Sequence, residues 1–446
     1  MIRPLAFVAI FALGTLASRL IAAHAPTRLG VDFAQPVPVA TAWGAYGSLS
    51  LGMLLVTLVA AFAAYAALLR RPPPVRVTIA TAAAACCFAA WFTPLFSSDI
   101  YAYAAYGEMA RIGLNPYAHA ALPASNPTFA AAVWQWPQLP VCVYGESFVA
   151  IARGIASLFA DASVAWELNA FRMLATFSLL ACAVLCAGLQ KRTQNARFAA
   201  VFLGCNPVVL WSAIEGHNDA LAIAVAMAAL FIGRRSASLA SIAAAVAVSI
   251  KLPAIAVFAV TIVRSISHRA RGVAASCIAA AIVAAAYARW FSAVLSTIAP
   301  HGHFIPFASV AAVPWSAATW IVPQSPAFAA TLTALTVTAV ALAVALHART
   351  YTGLNRLLAI ALALWVLVPN PYPWYGIWIV ALAAFASDPK LRLTALAVTA
   401  IALLRYVPDA VAVPSLALNL AGGVLATSPY AAILTVRKRA IISRSS

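Results

Sequence analysis

The run VAWELNAFRMLATFSLLACAVLCAGL, residues 164–189, decides how this chain is read. From Met173 to Leu189 it carries no charge. As a helix rising about 1.5 Å per residue, the whole run is long enough to span the ~30 Å hydrocarbon core of a bilayer. The pattern recurs outward in both directions, at roughly 4–23, 43–69, 75–95, 196–213, 218–233, 236–250, 252–264, 272–296, 326–347, 353–369, 374–387, 391–407 and 416–436. Across 446 residues the composition is 65% hydrophobic and 9% charged, unlike any water-soluble fold of this size. The expected fold class is all-α: a polytopic transmembrane helical bundle of about 12–14 spans, one integral membrane domain over residues 1–446. The first run follows Met-Ile-Arg with no cleavage pattern behind it, and is read as a helix rather than a signal peptide.

A formal net charge of +18 does not point to nucleic acid here. The basic residues fall in short clusters between apolar runs: Arg70/Arg71, Lys191/Arg192/Arg197, Arg234/Arg235, Arg264/Arg269/Arg271, Arg349/Arg356, Lys390/Arg392 and Arg437/Lys438/Arg439. There they orient the helices by the positive-inside rule and touch anionic membrane lipids. With every cluster cytoplasmic, an even number of spans separates each from the next. The stretch 145–160 breaks that parity if it crosses, so it is expected on the outer surface, in one large external region of about 96–163 with amphipathic surface helices. Lys251-Leu-Pro253 divides 236–264 into two short halves, expected as a broken hairpin whose backbone the protein itself satisfies. Six of the seven cysteines lie in apolar runs and Cys142 stands alone in a loop, which indicates neither metal spacing nor a disulfide framework.

This orientation puts the polar segments outside, and with them SSDIYAYAAYGEMARIGLNPYAHA, residues 97–120. Ser97 or Ser98 is placed to cap a helix of about 99–112, with Asp99 in its first turn. Gly113, Leu114 and Asn115-Pro116 are placed to end it. Asp99, Tyr103 and Tyr106 share one face, and Glu108 and Arg111 are spaced i, i+3, which describes a short amphipathic helix at the membrane surface. Interfacial anchoring accounts for the tyrosines. It accounts less well for Asp99, since an ionised carboxylate at the lip of a span is costly unless solvated or paired.

Such a carboxylate can act as a general base on an acceptor hydroxyl while a leaving group departs, and the leaving group then needs cationic or hydrogen-bonding partners. Candidates are Arg111, Arg172, Lys251, Arg289, Arg405, His217, His301 and His303. Arg172 and Lys251, inside spans, either bind phosphate or are paired or snorkelling. No glycine-rich nucleotide loop of the Walker or dinucleotide type occurs.

The segment SSDIYAYAAYGEMARIGLNPY resembles the first external loop of bacterial polyprenol-phosphate-mannose-dependent α-mannosyltransferases, members of the GT-C class of membrane glycosyltransferases. Tyr144-Gly145, GHNDAL at 216–221, KLPA at 251–254 and PYPWYGIWIVAL at 371–382 follow in that family's order. The resemblance, in patches over about 95–385, implies a GT-C type fold in a bacterial inner membrane, with its site facing the periplasm or exterior. It implies inverting transfer of a sugar, mannose first, from a polyprenyl-phosphate donor to an envelope glycan or glycolipid acceptor. Asp99 would be the catalytic base. Substrate contacts would come from Tyr103, Glu108, Arg111, Tyr144, Glu146, Arg172, Glu215, His217, Asn218, Asp219, Lys251, His301, His303, Trp374 and Tyr375. Glu215, His217 and Asp219 would hold a divalent cation or only orient the acceptor, and no metal ligand is assigned. Glu146 departs from the family, which places proline there; it adds a carboxylate to the site or solvates a loop. Two rival functions are a transporter or flippase of lipid-linked sugars, which broken helices and intramembrane basic residues would suit, and a noncatalytic envelope-assembly scaffold.

Overall fold

The structure is a computed structural model and describes residues 2–24, 39–87, 97, 99–118, 122–135, 139–190, 192–267, 269–288, 291, 306, 309–404 and 416–435. Among these residues every regular element is a helix. They group into two compact units, Met1–Gly302 and His303–Ser446.

The first unit runs α1 (Ile2–His24), α2 (Val39–Arg70), α3 (Val75–Cys87), α4 (Asp99–Arg111), α5 (Pro127–Gln135), α6 (Glu146–Leu158), α7 (Val164–Leu189), α8 (Thr193–Gly204), α9 (Pro207–Ile214), α10 (Asp219–Ile232), α11 (Ala237–Ile250), α12 (Ile255–Ile266) and α13 (Arg269–Ala288). The second runs α14 (Ala312–Ile321), α15 (Pro326–Ala348), α16 (Gly353–Val366), α17 (Gly376–Ala383), α18 (Pro389–Leu404) and α19 (Leu416–Thr435). By length and composition α7, Ala270–Ala288 of α13, and α15 can each cross a membrane alone. The pair α8 and α9 makes a fourth crossing if taken as one bent span. Phe177 and Val184 on α7 and Leu335 and Leu342 on α15 are exposed, as apolar side chains facing lipid are. The chain is an all-α, multi-pass membrane protein.

Two breaks carry chemistry. The run read as a single span over 196–213 is bent by 50° between α8 and α9. Pro207 has no N–H and its ring would strike the preceding turn, so a straight helix cannot continue. The freed groups find other partners. Asn206 Oδ1 accepts from the Val208 and Val209 amides, and the Tyr65 hydroxyl donates to the Phe202 carbonyl at 2.8 Å. The second break falls at Lys251, as its sequence foretells. There α11 ends in extended backbone, a 3-10 turn covers Leu252–Ala254, and α12 resumes.

Helix α4 ends as its sequence predicts. Gly113 takes φ +84, and the Leu114 amide donates back to the Met109 carbonyl at 2.8 Å, the Schellman pattern. It does not lie on a surface, however. Every residue from Ile100 to Met109 is buried, because α4 is enclosed by α5, α6 and α7. Gly107 permits this: a Cβ there would run into the Ala152 carbonyl of α6. The tyrosines expected at the interface are core residues instead, with Tyr103 packed against Phe148 (ring centroids 5.0 Å) and Phe171 (6.0 Å).

In the second unit, Asn355 Oδ1 accepts from the Ser387 and Asp388 amides ahead of α18. Asn419 of α19 donates to the Pro306 carbonyl and Ser316 hydroxyl.

Candidate active site

Asp99 opens α4. Its amide donates to Ser97 Oγ at 3.2 Å, which fixes the first turn. Its side chain keeps 21% of its surface exposed, while the residues following it in the helix are buried. This is therefore a carboxylate set into protein on one side and reachable on the other.

The loop between α9 and α10 closes the protein side. Gly216 turns with φ +85, and a Cβ on it would stand 2.6 Å from Ile100 Cδ1. Only glycine supplies that angle without strain, and here its bare backbone presses on the residue next to Asp99. The turn sends His217, 1% exposed, to within 3.6 Å of Asp99, Nδ1 to Oδ2. Asn218 and Asp219 then start α10, and Lys251 reaches them from the end of α11. Its Nζ lies 2.6 Å from Asp219 Oδ2 and 3.0 Å from Asn218 Oδ1. The same ammonium lies 5.4 Å from the centre of the Tyr144 ring.

Tyr144 and Gly145 tie the segment ahead of α6 to α11. The Tyr144 hydroxyl donates to that of Tyr103 at 3.4 Å. Gly145 lies so close to α11 that a Cβ would run into the Ser249 carbonyl, and the Ser147 and Ser249 hydroxyls hydrogen-bond beside it. Glu146, half-buried, begins α6. Arg172 of α7 is buried, donates to Asn169 Oδ1 at 3.3 Å and feels the charge of Glu215 and the hydroxyl of Tyr101. Glu215, also buried, ends α9.

The structure thus gathers Asp99, Tyr103, Tyr144, His217, Asn218, Asp219 and Lys251, with Arg172 behind the Gly216 turn. Glu108 and Arg111 belong to a separate arrangement at the far end of α4. Arg111 grips Glu108 by two hydrogen bonds of 2.6 and 2.7 Å, and Asn126 Nδ2 donates to the same carboxylate at 2.6 Å. Sequence reasoning had not singled out Asn126, though Asn-Pro-Thr is a helix-start signal; its Oδ1 also accepts from the Thr128 and Phe129 amides that open α5. Nor had it singled out Glu167, which accepts from the Thr128 hydroxyl at 3.1 Å. Trp374 and Tyr375 lie in the second unit, where Trp374 stacks on Tyr372 with ring centroids 4.6 Å apart. His301, His303, Arg289 and Arg405 fall outside the described residues.

Electrostatics separate the two carboxylates of α4. Burial pushes the Asp99 carboxyl up to about 6, with Lys251 pulling it down and Asp219 adding to the rise. The hydrogen bond from Arg111 holds Glu108 below the usual carboxylate range. Burial, with Lys251 nearby, drives His217 well below its ordinary pKa, so its imidazole is neutral at pH 7. Among the described residues no three His, Cys, Asp or Glu side chains converge as metal ligands. Asp219, central to the acidic motif, already carries the Lys251 ammonium, so this donor set does not fit a divalent cation.

Fold and site together define a helical membrane protein with a reachable acid beside a buried ion pair. Residues 7–267 match the family described as alpha-(1->6)-mannopyranosyltransferase, N-terminal domain, and the chain belongs to that family. An alpha-(1->6)-mannopyranosyltransferase of Mycobacterium tuberculosis is 33% identical over 135 residues, covering 29% of this chain and 22% of that protein. Alpha-(1->6)-mannopyranosyltransferase B of Corynebacterium glutamicum is 30% identical over 159 residues, covering 33% of this chain and 26% of its own length. The chain spans about a quarter of the length of these curated relatives. No solved structure matches it.

Proposed function

We propose that the chain is an inverting mannosyltransferase that takes its sugar from a polyprenyl-phosphate donor and passes it to an envelope glycan or glycolipid on the outer face of the membrane. The observation that carries this reading is Asp99: a reachable carboxylate with raised proton affinity, fixed at a helix start in a member of a mannosyltransferase family. Asp99 takes the proton of the acceptor hydroxyl as that oxygen bonds to the anomeric carbon. The bond from that carbon to the phosphate oxygen breaks, and the phosphate leaves on its lipid. A lipid-borne donor suits a site outside the cytoplasm, where nucleotide sugars are not found. Membership of the family supports mannose, and the names of the relatives support an α-(1→6) linkage. Lys251 bears on the site through charge, with its ammonium already engaged by Asp219.

The test is transfer by purified protein in nanodiscs, with radiolabelled polyprenyl-phosphate mannose and an α-(1→6)-mannan oligosaccharide as acceptor. Label reaching the acceptor with the native chain, and not with Asp99→Asn, supports both reaction and base. Label crossing sealed vesicles without a glycosidic bond replaces this reading with a flippase. Equal transfer by Asp99→Asn removes the base assignment.

A further inference from the structure

We infer that His217 is the positioning residue of the base: as a neutral donor facing one oxygen of Asp99, it orients the carboxylate so that the other oxygen takes the acceptor's proton. The inference rests on the reading of Asp99 as general base. At 1% exposure the imidazole is walled off from bulk water and from a sugar, so it acts through the carboxylate it faces, 3.6 Å from Oδ2. The backbone around it is pinned on both sides. The Gly216 turn abuts Ile100, the neighbour of Asp99 in α4, and the His217 amide donates to the Ser212 carbonyl at 3.0 Å. Beyond it, Lys251 anchors Asn218 and Asp219. The imidazole therefore moves in register with the helix that presents the base.

Its charge state suits the task. A protonated imidazole would form an ion pair with Asp99 and blunt its basicity, whereas a neutral one donates a single N–H and fixes one oxygen. The charge of Lys251, spent on Asp219, discourages protonation of His217. The groups bearing on Asp99 are Ser97 before it, Tyr106 on its own helix, His217 from the loop, Asp219 from α10 and Lys251 from the end of α11. Those bearing on His217 include Asp99 and Lys251. Among these, His217 is the neutral side-chain donor brought by a separate element.

The isosteric pair His217→Asn and His217→Leu tests this in the full-length chain in nanodiscs, with monodispersity checked first; His217→Ala replaces the leucine variant should that one aggregate. Two readouts are taken: the pH profile of mannosyl transfer, and infrared titration of the protonated-carboxyl band that Asp99→Asn abolishes. The leucine variant is expected to lose about tenfold in kcat at little cost in donor KM, with the acid limb and the band both moved up by about one pH unit. The asparagine variant, which keeps an N–H, is expected to recover most of both. A leucine variant with native limb and band overturns the inference, as does a rise in KM with kcat and band unchanged. Should the native chain transfer no polyprenyl-phosphate sugar, the proposed function falls, and the infrared titration alone still decides whether His217 sets the proton affinity of Asp99.

Discussion

Asp99 and Glu108 lie on one helix, about 13 Å apart along its axis by the rise of about 1.5 Å per residue. Each has a basic neighbour and a polar side chain from another element. Glu108 is closed: both oxygens are taken by Arg111, Asn126 adds a third hydrogen bond, and its acid is stronger than usual. Asp99 is held through its backbone by Ser97 and faced by a neutral imidazole, it keeps a fifth of its side chain open, and its acid is weaker than usual. A carboxylate saturated with donors staples the fold and has little affinity left for a proton. One that is buried but under-supplied with donors can accept a proton in a reaction. The same residue chemistry on one α-helix therefore serves two ends, and the count of donors distinguishes them.

The comparison can be broken by five measurements, from the largest expected effect downward. Asp99→Asn should cut transfer by about 10²–10⁴-fold, the range of a general base, while Glu108→Gln should stay within about threefold of native. Equal losses would make the two ends equivalent. Lys251→Met should lower stability by about 3–5 kcal/mol in thermal unfolding, since it strands the buried Asp219 carboxylate. A small change there would mean that Asp219 is solvated.

Transfer by the native chain should rise with pH through about 6, as Asp99 loses its proton. The same raised pKa costs the folded state stability, absent below the unfolded value of about 4 and complete above about 6. Asp99→Asn should therefore raise the melting temperature at pH 7 and lose that gain at pH 4. At Glu108 the sign reverses. Its depressed pKa stabilises the fold above the unfolded value, and the benefit fades as the pH falls through the folded one. Glu108→Gln should cost about 1 kcal/mol at pH 7, discounted because Arg111 is a third exposed, and nothing in acid.

Local patterns were legible where local physics decides. The start of α4 at Asp99, its end at Gly113, the limits of α7 and the break at Lys251-Leu-Pro253 all follow from caps, turn residues and apolar run lengths. The bend at Asn206-Pro207 was signalled by its dipeptide but masked by apolar residues on both sides. Helix α14, over Ala312–Ile321, fell outside every span read from the sequence, because 10 residues are too few to stand out by hydropathy. The site was legible as a set of residue types and illegible as contacts. His217 meets Asp99 across more than a hundred positions, and Asn126 meets Glu108 by folding back over a turn. Burial was the larger surprise. Tyrosine suits an interface and a core alike, and the absent side chain of Gly107 decides between them for α4.

Gly145 has a mechanical consequence. It is a spacer of zero thickness between the start of α6 and the last turn of α11, because its backbone rests where a methyl group would meet the Ser249 carbonyl. Two residues on, that turn delivers Lys251 to Asn218 and Asp219. Any side chain inserted at the joint works as a shim and lifts the end of α11 away from α10. The protein thus sets the clearance of its ion pair at a remote joint, where a carbon atom too many would misalign the site while every residue named in it stayed intact.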